Sequence, residues 1–216
     1  VYMVKVSAWL LSIRDKLKET TIEFNDLDID YIHLDIMDGI FVPNKSFTYD
    51  EIKEIINNTK YPLDVHLMVS DIDSYIYDYI MLNTEFITFH YEALKDIKTI
   101  QKIKNHGIKC GISIKPSTNV EEIFDLLPYI DLVLVMSVEP GKGGQEFMTM
   151  ALDKIKKLKN KIEKDNLNVL ISVDGGINKN RAIECIESGV DILVIGSALT
   201  NNDSKSELLR YVKQQK

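Results

Sequence analysis

The sequence predicts an α/β protein and, within that class, a single-domain (β/α)8 barrel, the TIM-barrel fold. Short apolar runs rich in β-branched residues recur eight times, and polar stretches with helical spacing separate them. Because strands that alternate with helices form parallel βαβ units, eight units in 216 residues most simply close into a barrel. An open, doubly wound sheet is the alternative, but the turn after the first run lacks the G-x-G-x-x-G pattern typical of that fold.

Each apolar run is predicted to be a buried strand, because parallel strands covered on both faces are apolar throughout. In chain order the runs are Val4–Trp9, Tyr31–Ile36, Leu63–Val69, Phe86–His90, Lys109–Ile114, Leu132–Ser137, Val169–Val173 and Ile192–Ile195.

Helical spacing is clearest in three of the polar stretches. Isoleucines share one face of Asp50–Asn57, and apolar residues form a stripe along Ala151–Ile162. A third helix is predicted over Val120–Leu127, with Thr118 and Asn119 as candidate N-caps.

We expect one barrel domain over residues 1–216, since no linker, repeat or low-complexity tract divides the chain. The longest connections follow the second and sixth strands, at Asp38–Asn44 and Glu139–Gln145. Both run from a strand to a helix, and loops of this kind form the catalytic face of a barrel. We therefore expect the functional site at the carboxyl ends of the strands.

The formal net charge of −7 argues against a nucleic-acid-binding protein or one that binds anionic membranes. No apolar run approaches the roughly 18 residues of a membrane span, and no signal peptide is recognisable, so we expect a cytoplasmic protein. Cys110 and Cys185 are predicted to be reduced, buried thiols. With arginine only at three positions, a phosphate would have to be bound mainly by backbone N–H groups.

Polar side chains end three of the predicted strands. His33 and Asp35 are two residues apart, so both face the same side of the second strand and belong inside the barrel mouth. His66 reaches the equivalent level of the third strand, and Asp174 ends the seventh. Two imidazoles and two carboxylates suit one divalent ion, with Zn, Fe(II), Mn and Co as candidates. The alternative is that each is a hydrogen-bonded structural residue, the role we assign to His90.

Glycines cluster in the loops after the last three predicted strands. Such loops bind phosphate through backbone N–H groups in many barrels, and glycine permits close approach. The alternative is that these glycines only form tight turns. Lys142 and Arg181 are candidate sources of additional positive charge. The candidate phosphate-binding residues are Gly141, Lys142, Gly143, Gly144, Gly175, Gly176, Gly196 and Ser197.

The same segments resemble the ribulose-phosphate 3-epimerase family, and the likeness extends through nearly the whole chain. The matching segments are HLDIMDG from His33, FVPN from Phe41, LDVHLMV from Leu63, FHYEA from Phe89, VEPG from Val138, GGQ from Gly143 with Phe147, VDGGI from Val173 and GSA from Gly196. The resemblance implies a (β/α)8 barrel with one divalent metal ion, Zn or Fe(II) first among the candidates. It also implies interconversion of D-ribulose 5-phosphate and D-xylulose 5-phosphate in the pentose phosphate pathway.

Residue roles follow from the same resemblance. It implies that His33, Asp35, His66 and Asp174 are the metal ligands, and that Asp35 and Asp174 are also the two catalytic acid/base residues. His66 and Asp174 are expected to contact the substrate as well. Ser7 resembles a substrate-contacting serine, with Ser12 as the alternative. Methionines are expected to line the reacting centre at Met37, Met68 and Met136.

Two segments depart from the family pattern. Lys142 stands where the family usually has an aromatic residue, so we expect loop closure or phosphate contact to differ. Val6–Ser12 replaces a Pro-Ser-Ile/Leu-Leu pattern.

Three other functions remain open from the sequence. The chain could be an epimerase of another ketose phosphate such as D-allulose 6-phosphate, a metal-free phosphate-binding barrel enzyme, or a binding protein without activity. The expected partner is a small sugar phosphate, and the family resemblance favours a homo-oligomer.

Overall fold

The computed structural model describes residues 3–10, 15–200 and 205–214. Eight parallel strands close into a barrel in sequence order, and β1 pairs with β8 to complete the ring. The predicted (β/α)8 fold is therefore confirmed. The strands are β1 (Lys5–Trp9), β2 (Tyr31–Met37), β3 (Leu63–Met68), β4 (Thr84–His90), β5 (Lys109–Ile114), β6 (Leu132–Met136), β7 (Leu170–Asp174) and β8 (Ile192–Ile195).

Helices cover the outside of the barrel. They are α1 (Leu17–Phe24), α2 (Tyr49–Asn58), α3 (Ile72–Ile80), α4 (Lys98–Lys104), α5 (Met150–Lys164), α6 (Lys179–Ser188), α7 (Ser197–Thr200) and α8 (Lys205–Gln214), with 3-10 helices at Tyr91–Ala93 and Val120–Tyr129.

The helix predicted over Val120–Leu127 is a 3-10 helix rather than an α-helix, which is a correction. Its sequence places Pro128 inside the turn. Proline has no N–H to donate, and its ring clashes with the carbonyl four residues earlier in an α-helix. The N-cap is Asn119, whose N–H donates to the Glu122 carboxylate at 3.0 Å, whereas the Thr118 hydroxyl donates to Glu92.

Alternation along each strand divides the apolar residues into two cores. On β2, Ile32, Leu34 and Ile36 belong to the large core between strands and helices. Tyr31 faces the barrel interior, where its ring meets that of Phe86 edge to face at 5.4 Å. Because His33 and Asp35 share the inward side with Tyr31, the strand pattern that builds the core also turns the polar residues inward.

No helix among the described residues is long and apolar enough to cross a bilayer. Cys110 and Cys185 are both buried and form no disulfide, as predicted. Burial raises the pKa of Cys185 to about 12 and raises that of Cys110 well above its usual range.

We expect neither thiol to react appreciably with a soluble aromatic disulfide reagent while the protein is folded. The thiolate is the reacting form, and a raised pKa together with burial keeps its population small at neutral and mildly alkaline pH. In urea both thiols should react. The absorbance of the released aromatic thiolate measures this, and Cys185→Ser should leave one reactive thiol in urea. Rapid labelling of the folded protein would contradict the buried placement.

Candidate metal centre and active site

Four of the predicted site residues converge at the carboxyl ends of the strands. His33, Asp35, His66 and Asp174 each bring a ligand atom within 4.8 Å of the others. His33 Nε2 lies 3.2 Å from Asp35 Oδ1 and 3.8 Å from Asp174 Oδ2, and His66 Nδ1 lies 2.9 Å from Asp35 Oδ1. The predicted convergence is confirmed, and the cluster could hold a metal ion.

Strand register explains why these side chains meet. Asp35 on β2 is paired with His66 on β3, so their side chains leave the sheet at the same level. His33 precedes Asp35 by two residues and therefore faces the same side. Asp174 reaches the cluster from β7, where it pairs with Met136 of β6. It is the most accessible of the four, with 16% of its side chain exposed.

A buried carboxylate behind His33 fixes the orientation of that imidazole. Asp64 Oδ2 lies 2.8 Å from His33 Nδ1 and also accepts a hydrogen bond from the Ser7 hydroxyl at 2.7 Å. The sequence interpretation did not select Asp64 as a site residue. The sequence does contain a pattern that could have identified it, because Asp64 lies two residues before His66 and so faces the same side of β3.

A chain of hydrogen bonds backs the second imidazole. His66 Nε2 lies 3.0 Å from His90 Nε2, and His90 Nδ1 lies 3.0 Å from the Glu92 carboxylate. Burial lowers the pKa of His90 to about 4. Burial alone would raise the pKa of Glu92, but hydrogen bonds from His90 and Thr118 lower it to about 2. His90 is thus a hydrogen-bonded structural histidine, as predicted, and it also contacts a cluster residue.

The positions of the protons in these hydrogen bonds indicate which kind of ligand the cluster suits. A neutral His90 that donates Nδ1–H to Glu92 has an unprotonated Nε2, so the proton between the two Nε2 atoms belongs to His66. With its single proton on Nε2, His66 would present an unprotonated Nδ1 beside Asp35 Oδ1, as a metal-ligating histidine does. His33 is arranged in the same way, since its Nδ1 faces Asp64 and its buried Nε2 has no hydrogen-bond partner. A divalent cation between these atoms would satisfy all of them.

Those tautomers are the ones that an ion-bound cluster would need. In the absence of an ion, the same surroundings favour a proton, and so a positive charge, on His33 itself. Burial alone would lower the pKa of His33, but the charge of Asp64 and contact with Asp35 raise it well above its usual value. Burial would likewise raise the pKa of Asp35, yet contacts with His33 and His66 hold it well below its usual range. Burial and the charge of Asp35 raise the pKa of Asp174 to about 6. The two carboxyl groups therefore differ in their affinity for a proton.

A cavity of about 450 Å³ opens above the cluster. Asp35 and Asp174 form part of its lining, and so do the three predicted methionines. The predicted glycine loops line the same cavity, at Gly141, Lys142, Gly143, Gly144, Gly175, Gly176, Gly196 and Ser197.

One cationic side chain is found among the described residues that line this cavity. It belongs to Lys142, which is exposed on the loop after β6. Arg181, the other predicted source of positive charge, does not line the cavity. Its guanidinium pairs with Glu184 at 2.6 Å and lies over the Phe147 ring.

Hydrogen bonds outside the cluster hold the loops at the cavity rim. The Ser137 hydroxyl lies 2.8 Å from the carbonyl oxygen of Asp174 and 2.7 Å from that of Gly175. The Asn44 side-chain amide donates to the Gly141 carbonyl at 2.7 Å and so ties the loop after β2 to the loop after β6. Ser137 thus connects the end of β6 to the end of β7, and Asn44 connects two loops on distant strands.

Three of the predicted substrate-binding or ligand residues are not in the cavity lining. His33, His66 and Ser7 are fully buried below it. Ser7, expected to contact the substrate, donates to Asp64 beneath the cavity, and its alternative Ser12 lies outside the described residues. Trp9, two residues after Ser7 on β1, lines the cavity instead. Alternation places Ser7 and Trp9 on the same side of β1, and the sequence alone does not show that Trp9 is the one nearer the cavity.

Comparisons with known proteins agree with this architecture. A sequence profile described as the Ribulose-phosphate 3 epimerase family matches residues 5–200. The chain is 39% identical over 189 residues to the ribulose-phosphate 3-epimerase of Bacillus subtilis, covering 87% of each protein. It is 35% identical over 218 residues to the ribulose-phosphate 3-epimerase of Methanocaldococcus jannaschii, covering 98% of this chain and 91% of that protein.

Among solved structures, 3-hexulose-6-phosphate synthase from Salmonella typhimurium superposes with a TM-score of 0.65 at 18% identity, covering 98% of this chain and 97% of that one. A likeness at this identity shows the barrel fold alone. The family match and the two epimerases extend over most of the chain and include all four cluster residues in the profile range. The chain belongs to the ribulose-phosphate 3-epimerase family, whose curated members named here are isomerases.

Proposed function

We propose that the chain is a metal-dependent epimerase that interconverts D-ribulose 5-phosphate and D-xylulose 5-phosphate by two-base proton transfer at C3. The observation that carries this proposal is the placement of Asp35 and Asp174 on β2 and β7, beside two imidazoles and on the wall of one cavity. Inversion at C3 requires removal of a proton from one face and delivery to the other. Two carboxyl groups that approach from separate strands supply that arrangement.

The unequal proton affinities of the two carboxyl groups support this assignment. Asp35 stays ionised over a wide pH range, whereas the pKa of Asp174 is raised to about 6. A pair of carboxyl groups whose surroundings push their pKa values apart can act as base and acid in one reaction. In one direction a carboxylate oxygen of Asp35 takes the C3 proton while Asp174 delivers one, and the roles exchange in the reverse direction.

The four cluster side chains would hold the divalent ion, with Zn or Fe(II) favoured by the mixed nitrogen and oxygen donors and with Mn and Co as alternatives. Such an ion supplies positive charge beside the oxygens on which negative charge develops as the C3 proton leaves. Met37, Met68 and Met136 make the surrounding wall apolar. Since methionine donates no strong hydrogen bond, it excludes water without competing for the transferred protons.

Backbone N–H groups of the glycine loops would bind the phosphate. Three loops line the cavity with glycine, those of Gly143–Gly144, Gly175–Gly176 and Gly196–Ser197. Positive φ angles of 123° at Gly175 and 63° at Gly176 show a turn that side chains other than glycine rarely adopt. Lys142 would add one positive charge at the rim.

The wider functional setting follows from the same proposal. Residues 1–216 would act as one barrel domain in the cytoplasm, as a homo-oligomer that takes a small sugar phosphate and neither nucleic acid nor a membrane as its partner. The reaction is a step of the pentose phosphate pathway.

The direct test is proton NMR of D-ribulose 5-phosphate in D2O with the purified protein. We expect the C3 proton signal to disappear as the signals of D-xylulose 5-phosphate appear, which reports enolisation and inversion together. Exchange without epimerisation would refute the two-base assignment. If neither change occurs after addition of divalent metal, the proposed substrate is wrong, and D-allulose 6-phosphate becomes the next sugar to test.

Replacing either carboxyl group should separate the two bases. We expect Asp35→Asn and Asp174→Asn each to lower kcat by at least about 10²-fold, the usual contribution of a positioned acid or base. Because the remaining base faces one side of C3, solvent exchange should persist in each variant for one epimer only. Metal content measured alongside separates loss of the base from loss of the ion.

The control for this pair is Asp73→Asn, because Asp73 pairs with Lys102 on the outer helices, far from the cavity lining. Its kcat should equal that of the unmodified protein. Normal turnover in either cluster variant with metal bound would contradict the mechanism.

The hydrogen-bond chain behind His66 gives a further prediction. His90→Phe keeps a ring at that position but removes the acceptor of the His66 Nε2 proton. We expect the dissociation constant for Zn to rise by about 10- to 100-fold, as is usual when a partner of a metal-ligating histidine is lost. Competition with a chromophoric chelator measures the constant. His106→Phe, at an exposed histidine on the barrel exterior, is the matched control, and equal affinities in the two variants would refute the proton assignment.

A further inference from the structure

Trp9 is the last residue of β1 and the sole tryptophan of the chain. Its indole Nε1–H donates a hydrogen bond to Asp35 Oδ2 at 2.7 Å. The other oxygen of that carboxylate, Oδ1, is the one that faces His33 and His66. The indole therefore fixes the rotation of the Asp35 carboxylate and determines which oxygen is turned toward the imidazoles.

The ring of Trp9 is packed against two of the glycine loops. A Cβ built on Gly143 would lie 2.5 Å from Trp9 Cη2, and a Cβ built on Gly196 would lie 2.3 Å from Trp9 Cε3. Carbon atoms do not approach this closely, so both positions accommodate only glycine while the ring occupies this place. The six-membered ring of the indole thus packs against both the loop after β6 and the loop after β8.

One side chain consequently contacts both the cluster and the glycine loops. Its N–H donates to a carboxylate of the cluster, and its ring forms part of the cavity wall beside two of the three loops proposed to bind phosphate. The distance from the carboxylates to the glycine loops limits the length of sugar phosphate that can bind in a reactive position. A residue that contacts both Asp35 and the glycine loops can therefore affect the orientation of the base and the length of substrate that fits.

We propose that Trp9 is a positioning and specificity-determining residue of the epimerase site: its N–H orients Asp35, and its ring sets the length of ketose phosphate that the cavity accepts. This inference rests on the proposed function for the identity of the substrate. It assigns two separate tasks to one side chain, and substitution can separate them.

The first task is tested by Trp9→Phe, which keeps an aromatic ring but removes the N–H. We expect kcat for D-ribulose 5-phosphate to fall by about 10-fold or more, the usual loss when a hydrogen bond to a charged group is removed. KM should change by less than about 3-fold, because the wall remains. Tyr129→Phe, on the exposed exterior, is the matched control and should leave both constants unchanged. A Trp9→Phe variant with unchanged kcat would overturn this half of the proposal.

The second task is tested by Trp9→Leu, which removes the wall as well. We expect the ratio of kcat/KM for D-allulose 6-phosphate to that for D-ribulose 5-phosphate to rise by about 10-fold or more, in the range usual for one additional carbon centre in a pocket. Trp9→Phe should leave this ratio near the value of the unmodified protein. A merely structural role would lower both activities together, so an unchanged ratio in Trp9→Leu overturns the specificity role.

The outcome for Trp9 is distinguishable from the outcome for the proposed function. The ratio measured on the unmodified protein shows which sugar is preferred, whereas the change of ratio in the variant tests Trp9 whichever sugar that is.

Tryptophan emission gives a readout that needs no variant and no turnover, because Trp9 is the single tryptophan. An equilibrated mixture of the two pentulose phosphates, or inorganic phosphate alone, should shift or quench it in a saturable manner. Constant emission at saturation of both probes would overturn the proposal even if both variants failed to fold.

Discussion

The site depends on the pairing of each cluster imidazole with a fixed partner on its far nitrogen. Asp64 occupies Nδ1 of His33, and His90 occupies Nε2 of His66. Each ring is thereby left with one nitrogen directed at the same point, where Asp35 Oδ1 also lies. Without those partners either ring could rotate or exchange tautomers, and the donor atoms would not be held together. The orientation of the donors is therefore a property of the surrounding hydrogen bonds as much as of the four residues themselves.

The barrel makes this arrangement possible because parallel pairing brings the carboxyl ends of all strands to one rim. Burying so many charged groups is unfavourable unless each is paired. Asp35 contacts both imidazoles and the Trp9 N–H, whereas Asp174 lies 3.8 Å from His33 Nε2. Asp64 is enclosed by His33 and Ser7, and Glu92 by His90 and Thr118. The inner layer below the cavity thus contains a network of polar pairs.

Much of the architecture could be predicted because it depends on local patterns. Continuous apolar runs identified all eight strands, with bounds that differ from the observed ones by at most two residues, and alternation placed His33 and Asp35 on the inner face. The depth of a residue along the barrel axis could not be predicted, because alternation shows only whether a side chain faces inward or outward. That is why Ser7 was expected at the cavity and Trp9 was not. The 3-10 helix at Val120–Tyr129 was not predicted because the spacing of apolar residues does not distinguish it from an α-helix. Pro128 was the residue that could have indicated the difference.

Closure of the ring by β1 and β8 has a consequence for synthesis on the ribosome. β1 is made before the other seven strands, yet one of its edges is covered only by Ile192–Ile195, the last strand of the barrel to be made. During most of translation that edge offers unpaired N–H and C=O groups, the condition under which nascent chains associate wrongly. Asp30 accepts from the Val6 N–H and pairs with Lys213 of α8, a contact that likewise forms only after α8 has emerged. The site is therefore completed late in synthesis, because β7 and β8 must leave the ribosome before an ion or a substrate can bind to all of its residues.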